Sequence, residues 1–302
     1  MLNPKLNLAL AATMLAAGSL TSATSRAQDC PSPYGTPTDE GYATVNAAYF
    51  DTDGSGQVDV TDLMNLLSVY GAVVPVPFVA CGDPMTYQGY AYATVQIGDQ
   101  CWFAENLRND LYANGDSIPA NLSDEAWMDT SNGATTTYGE DAGCSASAPD
   151  FDACDPSASL EAYGRLYNWY AVVDGLGLCP SGWHTPSDTE WMDVEMALGM
   201  SEADAGSTFW RGTDQGDQMK DTTGWADDGN GTNTSGMTLK PGGYRYGFDE
   251  AEFVIAGNFA SMWTASEGTW GAYCRLFMDA SAKIKREQES KEFGMSVRCV
   301  QD

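Results

Sequence analysis

The clearest periodic pattern in the chain lies just after its single histidine. Apolar residues recur three and seven positions apart, at Trp191, Val194 and Leu198. This spacing puts the three side chains on one face of a helix. Before them, Ser187 and Glu190 have the spacing of a capping box, in which each side chain accepts a hydrogen bond from the other residue's backbone N–H. The pattern therefore predicts an amphipathic helix from Asp188 to Leu198.

Alternation of apolar and polar residues predicts the strands. A strand is expected from Tyr90 onward, continuing into the apolar run that ends at Leu107. Residues 163–173 are rich in aromatic and aliphatic side chains, and their spacing suits a strand or a helix equally. The charged run Ala282–Glu292 is predicted as the tip of a hairpin. Short strands are predicted over 247–267, 272–278 and 294–300.

The stretches between these elements are rich in residues that favour turns. Residues 109–156 are predicted as a long surface insertion and residues 201–243 as a second irregular region. The proline-containing segment 71–85 is predicted as a linker. A boundary near residue 80 would then separate a small N-terminal module from a large domain.

The small module contains the sharpest chemical motif, DTDGSGQVDVTD, over residues 51–62. An EF-hand loop takes oxygen ligands from its first, third, fifth, seventh, ninth and twelfth positions, with a glycine at the sixth. The residues at those six positions are Asp51, Asp53, Ser55, Gln57, Asp59 and Asp62. Gln57 would bind through its backbone carbonyl, and Gly56 occupies the turn. The loop predicts a Ca²⁺ site, and the alternative is an acidic turn without metal.

The motif departs from an ordinary EF-hand at its last position, where Asp62 replaces glutamate. In this respect the pattern DxDGSGxVDxxDLxxLLxxYG resembles one repeat of a dockerin, which also uses aspartate there. Dockerins carry two such repeats, and this sequence has one. The resemblance implies a small helical calcium module over residues 28–80, and it keeps docking to a partner protein as an alternative function.

The first 27 residues have the pattern of a signal peptide. A lysine precedes an apolar run, and Ser25 and Ala27 are small residues at the spacing of a cleavage site. We therefore expect a secreted protein, extracellular or at the cell surface, with the periplasm as an alternative. After signal removal, no apolar run of the sequence is long enough to span a membrane.

The charge balance excludes one class of partner. The formal net charge is −28, from 14 basic and 42 acidic residues. Nucleic-acid binding needs a basic patch that neutralises phosphates, so a nucleic-acid partner is not expected. Most of these carboxylates are expected on a solvated surface.

Six segments of the large domain resemble, in order, the signature segments of the Fibrobacter succinogenes major paralogous domain family. They are YATVQIGDQCWFAENL, YGRLYNWYA, CPSGWHTPSDTEW, NGTNTSGMTLKPGGYR, SMWTASE and SVRCVQD. HTPSDTEW is also similar to the RLPTEAEW-type motif of formylglycine-generating enzymes, which have a C-type-lectin-like architecture. The resemblance implies an α+β, C-type-lectin-like domain over residues 81–302, with small twisted antiparallel sheets and few helices.

The eight cysteines all follow the signal segment, and an even number in an exported chain favours disulfides. Four pairings are hypothesised. Cys144 and Cys154 bracket a short loop, and Cys179 and Cys299 lie in two of the signature segments. The remaining two pairings would join Cys30 to Cys81 and Cys101 to Cys274. No CxxC pair is present, so a zinc or thioredoxin-type site has little support.

No catalytic motif stands out in the large domain. The sequence has no GxSxG, HExxH or phosphate-binding glycine loop. His184 is expected to be structural, and Cys274 lacks the neighbouring cysteine that the formylglycine enzymes use. Three tryptophans in polar, glycine-rich contexts could stack on sugar rings, and the alternative is a role as loop anchors. These residues are Trp210, Trp225 and Trp270.

These observations favour a secreted, non-catalytic calcium-binding protein for extracellular binding or adhesion, with polysaccharide or a protein as the ligand. One alternative is an enzyme that modifies glycans or proteins from the loops around residues 210–243. The other is dockerin-like docking through the calcium module.

Overall fold

The computed structural model describes residues 61–62, 78–140, 144, 148–248 and 251–302. The chain divides into two units, Met1–Pro75 and Val76–Asp302. In the first unit, Thr61 and Asp62 are described; both are helical, and Asp62 is 2% exposed. The signal segment, Cys30 and the other calcium-loop residues lie outside the described residues. All other described residues belong to the second unit.

The second unit is α+β, with small antiparallel sheets and few helices, as the sequence predicts. Its helices are α1 (Asp124–Asp129), α2 (Pro156–Tyr163), α3 (Trp169–Val172), α4 (Asp188–Ala197), α5 (Glu202–Ala205) and α6 (Gln215–Met219). Its strands are β1 (Met85–Tyr87), β2 (Tyr90–Tyr92), β3 (Thr94–Ile97), β4 (Gln100–Phe103), β5 (Thr135–Thr137), β6 (Arg165–Tyr167), β7 (Trp183–His184), β8 (Phe209–Arg211), β9 (Tyr244–Arg245), β10 (Phe253–Val254), β11 (Phe259–Glu267), β12 (Ala272–Met278), β13 (Ile284–Glu289) and β14 (Val300–Gln301).

Two four-stranded sheets form the centre of the unit as far as the structure describes it. Their strand orders are β11-β12-β13-β8 and β3-β4-β14-β7, and each pair is antiparallel. The two-stranded sheets β1-β2, β5-β6 and β10-β9 accompany them. No helix among the described residues is long and apolar enough to cross a membrane.

Helix α4 confirms the helix prediction. The Ser187 hydroxyl accepts from the Glu190 backbone N–H at 3.2 Å, and the Glu190 carboxylate accepts from the Ser187 N–H at 2.7 Å. Trp191 and Val194 are fully buried. The Trp191 ring packs against Trp102, with centroids 4.9 Å apart, so the apolar face of α4 meets the core at β4.

The first turn-rich region differs from the predicted surface insertion, because it contributes to the core. The second, predicted as irregular, contains two short helices and a strand and also contributes to the core. In residues 109–156, Trp127 and Tyr138 are fully buried, and so is strand β5. In residues 201–243, Met219 and Leu239 are fully buried. Polar turns separate these apolar residues in the sequence, so no short window shows their shared face.

The charged run 282–292 is also not a hairpin tip. Strand β13 occupies most of it and lies between β12 and β8. Its Arg286 is 8% exposed and donates to the Asp188 carboxylate at the start of α4, with Nη2 to Oδ2 at 2.6 Å. The positive charge of Arg286 is therefore neutralised by a residue 98 positions earlier in the chain. Local sequence patterns cannot reveal such a distant partner.

The described residues form three disulfides. Cys144–Cys154 and Cys179–Cys299 are the pairs hypothesised from the sequence. The third joins Cys81 to Cys101, so the pairings Cys30–Cys81 and Cys101–Cys274 are wrong.

The physical reason lies in the packing of residues 81–83 against strand β3. The Thr94 hydroxyl accepts from the Gly82 N–H at 2.8 Å and donates to the Asp83 carbonyl at 2.7 Å. Cys101 lies on β4, which pairs with β3. Cys274 is a buried free thiol on β12 of the other large sheet.

Candidate functional site

A row of aromatic side chains runs along β9 and the residues after it. Tyr244, Tyr246 and Phe248 occupy every second position from β9 into the bend that follows it, and their rings lie next to one another. Successive ring centroids are 6.5 and 5.8 Å apart. The buried Phe293 ring contacts all three, at 5.6, 4.9 and 5.7 Å. We call these four residues the aromatic ridge.

The two residues between the aromatic positions, Arg245 and Gly247, fix the ridge in place. Arg245 points the other way and is 1% exposed; its Nη2 donates to the Asp124 carboxylate at 2.7 Å. Its guanidinium also lies 4.6 Å from the centroid of the Trp127 ring. At Gly247, an added Cβ would lie 2.9 Å from the Phe293 backbone nitrogen. Glycine therefore allows the close approach that seats the row on Phe293.

The outer part of the ridge faces solvent. Phe248 is 47% exposed, and both tyrosines are partly exposed. Neither tyrosine hydroxyl has a hydrogen-bond partner among the described residues. Burial, and to a lesser extent the nearby charges of Glu289 and Tyr246, raise the pKa of Tyr244, so its hydroxyl stays neutral at physiological pH. A neutral phenol group can donate a hydrogen bond to a ligand and accept one from it.

Glu289 lies on strand β13 and pairs with Ala272 of β12. Ala272 belongs to the core cluster against which Tyr244 packs, and the charge of Glu289 acts on the Tyr244 hydroxyl. Burial, followed by repulsion from Glu287, raises the pKa of this carboxyl, and Lys285 opposes the shift. Neither its carboxylate nor that of Glu287 accepts a hydrogen bond from the described residues, but Glu287 forms an ion pair with Lys285. Within the described chain, the ridge thus has a half-buried, unpaired carboxylate beside it.

The three tryptophans singled out in the sequence are not brought together. Trp225 is 3% exposed, and its Nε1 donates to the Leu239 carbonyl at 3.0 Å. It lies in the core, which fits the alternative role of a loop anchor. Trp210 is partly buried on the edge strand β8. Trp270 is 66% exposed in the turn between β11 and β12, where its backbone N–H donates to the Gln288 amide oxygen at 3.3 Å.

The sequence-based prediction missed the aromatic ridge and Glu289. A signal was available, since YRYGF shows aromatics at every second position from 244 to 248. Such an alternation equally fits a strand with one buried face. The position of Phe293 beneath the row decides that these rings form one surface.

His184 lies elsewhere, on β7, and bridges two carboxylates. Its Nδ1 is 2.7 Å from the Asp302 carboxylate, and its Nε2 is 2.7 Å from the Glu190 carboxylate. Desolvation lowers the pKa of His184, but the hydrogen bonds to Asp302 and Glu190 outweigh it and the net shift is upward. The histidine thus links strand β7 to the first turn of α4.

We expect this bridge to make stability depend on pH. A raised pKa in the folded state means that protonated His184 stabilises the fold below its unfolded pKa of about 6.5, and that the contribution disappears as pH rises through the raised value. Because the side chain is 41% exposed, the effect should be below about 1 kcal/mol. The melting temperature of His184→Gln should fall below that of the wild type in mild acid and approach it in mild alkali. A gap that widens with rising pH would contradict this assignment.

One open cleft, of about 320 Å³, is lined by acidic loop residues, among them Asp217, Asp227 and Asp279. Several oxygen atoms at this cleft already contact the buried ammonium group of Lys220. Lys220 Nζ lies 2.8 Å from the Asp217 carboxylate and donates to the Met278 carbonyl at 3.2 Å. In the described part of the chain, no group of three or more His, Cys, Asp or Glu side chains is placed to hold a metal ion.

Comparison with known protein families identifies the second unit. The model of the Fibrobacter succinogenes major domain matches residues 95–301. No curated protein and no solved structure matches the chain. The matched range includes the aromatic ridge, helix α4 and the Cys179–Cys299 disulfide. Because the match covers more than half of the sequence, the chain belongs to the Fibrobacter succinogenes major domain family.

Proposed function

We propose that this chain is a non-catalytic, secreted binding protein that holds polysaccharide on the aromatic ridge. The observation that carries the proposal is the row Tyr244–Tyr246–Phe248, part-exposed, seated on Phe293 and with tyrosine hydroxyls open to a ligand. Sugar rings have apolar C–H faces that pack on aromatic rings, and hydroxyl groups that bond to polar groups at the ring edges. Tyrosine offers both kinds of contact at one position. Contiguous exposed apolar surface on a folded domain commonly marks a ligand site.

We extend the proposal to export, fold and calcium binding. Export is supported by the signal pattern of residues 1–27 and by the three disulfides, which are of the kind that persists in oxidising compartments. A C-type-lectin-like fold over residues 81–302 is supported by the resemblance of the signature segments. Ca²⁺ binding by residues 51–62 is supported by the ligand spacing. Calcium would then serve the small module, and the ridge would bind without it.

The test is retention of the secreted chain on a panel of immobilised polysaccharides, with calcium and with a chelator. The double variant Tyr246→Ala/Phe248→Ala should lose retention, with affinity falling about tenfold or more, because two of the three outer rings are gone. Phe209→Ala is the matched control, since it removes an exposed ring from β8 in a different sheet. Its retention should equal that of the wild type.

The other outcomes have defined meanings. Wild-type retention by the ridge double variant, with its melting temperature unchanged, would reject the ridge as the binding surface. Loss of retention in chelator and in Asp51→Ala/Asp62→Ala would place binding in the calcium module instead. Turnover of a model glycoside by the wild type would favour an enzyme over a binding protein.

A further inference from the structure

The orientation of the ridge rings constrains the physical form of the ligand. The planes of Tyr244 and Tyr246 are inclined by 40°, and those of Tyr246 and Phe248 by 81°. A flat crystalline polysaccharide surface can lie against coplanar rings, but against this row it would meet one ring at a time. A single chain can rotate about its glycosidic bonds between units. The centroid spacings of 6.5 and 5.8 Å are comparable with the length of one sugar unit, so successive units can meet successive rings.

The charges around the ridge constrain the chemistry of that chain. Lys285 is paired with Glu287, and Lys291 with Glu267 at 2.5 Å. Among the described residues, Glu289 is left as an unpaired charge beside Tyr244. An anionic polysaccharide would bring like charge against it, in a protein whose formal net charge is −28. A polycation would be attracted by the same charges, and its binding would weaken with added salt, so the response to salt separates it from a neutral chain.

Glu289 has unfilled hydrogen-bonding capacity. An ionised carboxylate only accepts, and its two oxygens can receive two donors side by side. Adjacent hydroxyls on a sugar ring present donors in that arrangement. A half-buried carboxylate without partners loses part of its hydration and gains no hydrogen bond in return. A hydrogen bond from a ligand hydroxyl would compensate for that loss. Since burial raises the pKa of Glu289, the neutral glutamine side chain should be tolerated at this position.

From these observations we infer that the ridge binds one chain of a neutral, soluble polysaccharide, with Glu289 accepting hydrogen bonds from its sugar hydroxyls. The inference rests on the proposed function and narrows its ligand to a single chemical class. Glu289 then sets the preference for hydroxyl-rich, uncharged units, while the rings supply the stacking contacts.

The experiment compares the full secreted chain on three groups of probes. The neutral soluble group holds hydroxyethyl cellulose, xyloglucan, galactomannan and mixed-linkage glucan; the anionic group holds carboxymethyl cellulose and polygalacturonate; the crystalline group holds microcrystalline cellulose and chitin. Affinity electrophoresis and pull-down should show binding to at least one neutral soluble glycan. That binding should change little with added salt, because it does not depend on opposite charges.

The variants Glu289→Gln and Glu287→Gln form a matched pair on the same face of β13. We expect Glu289→Gln to weaken binding to the neutral glycan by about tenfold, the size of one lost charge-assisted hydrogen bond. Glu287→Gln should bind within about twofold of the wild type, because its carboxylate is held by Lys285. Equal affinities for the two variants would overturn the role of Glu289.

The probes also separate this inference from the proposed function. Preferential binding to the anionic or crystalline group, abolished by Tyr246→Ala/Phe248→Ala, would overturn the inference and keep the ridge as the polysaccharide site. Absence of binding to every probe would overturn both.

Discussion

Replacement of Glu195 by alanine is expected to lower the free energy of unfolding by about 3–5 kcal/mol, because it leaves buried arginines without their partner. The Glu195 side chain on α4 is fully buried. Its carboxylate accepts from Arg275 Nε at 2.6 Å and from Arg211 Nη2 at 2.5 Å. Urea denaturation of the wild type and the variant measures the loss.

The rest of this network explains why the loss should be large. Asp188 is its other carboxylate and pairs with Arg275 and Arg286. Three guanidinium groups therefore share two carboxylates, and Arg211 Nε already has no hydrogen-bond partner among the described residues. Removing Glu195 leaves three positive charges around one carboxylate in a region of low dielectric constant.

Two further variants test the cause. Glu195→Gln keeps the shape of the side chain and removes its charge, so it should also destabilise strongly. Asp193→Asn changes an exposed carboxylate on the same helix and should alter stability by less than about 0.5 kcal/mol. A loss below about 1 kcal/mol for Glu195→Ala would contradict this account, because it would show that the arginines are not left as uncompensated buried charges.

Removal of the Cys179–Cys299 disulfide, by serine at both positions, is expected to cost about 5 kcal/mol. Removal of Cys144–Cys154 should cost about 3 kcal/mol. The two bonds span 120 and 10 residues, and a longer closed loop restricts the unfolded chain more. Chemical denaturation of the two double variants under identical conditions measures the difference.

The position of the long-range bond adds a structural reason for its larger effect. Cys299 precedes Val300, which pairs with Trp102 on β4 and with His184 on β7. The bond therefore fixes the strand that joins the two halves of one four-stranded sheet. Equal losses for both pairs of substitutions would show that loop entropy does not dominate their contribution.

Local signals in the sequence predicted several elements correctly. The capping box at Ser187 and the apolar period after it specify α4, because both act within a few residues. The ordered signature segments agree with the family match over residues 95–301. The short Cys144–Cys154 loop could be inferred from its spacing.

The features that were missed depend on contacts between distant segments. Strand β13 has the composition of a charged hairpin tip, because the carboxylate that neutralises Arg286 lies 98 residues earlier. Trp225 has glycine-rich neighbours along the chain, yet its ring lies in the core, 5.1 Å from the Lys220 ammonium. Composition describes the neighbours of a residue along the chain and not those around it in space.

The sequence by itself determined the capped helix and the ligand spacing of a proposed calcium loop, because each is set by short-range order along the chain. The family and the class of fold followed from the resemblance of the signature segments. The tertiary structure alone decided which aromatic rings form a surface and which carboxylate beside them is left unpaired among the described residues. Tyr244, Phe293 and Glu289 come from three separate segments, and only packing brings them near one another. The physical reason is that hydrogen bonds and charges are satisfied through space, so an unsatisfied group can be identified only when all its neighbours are in place.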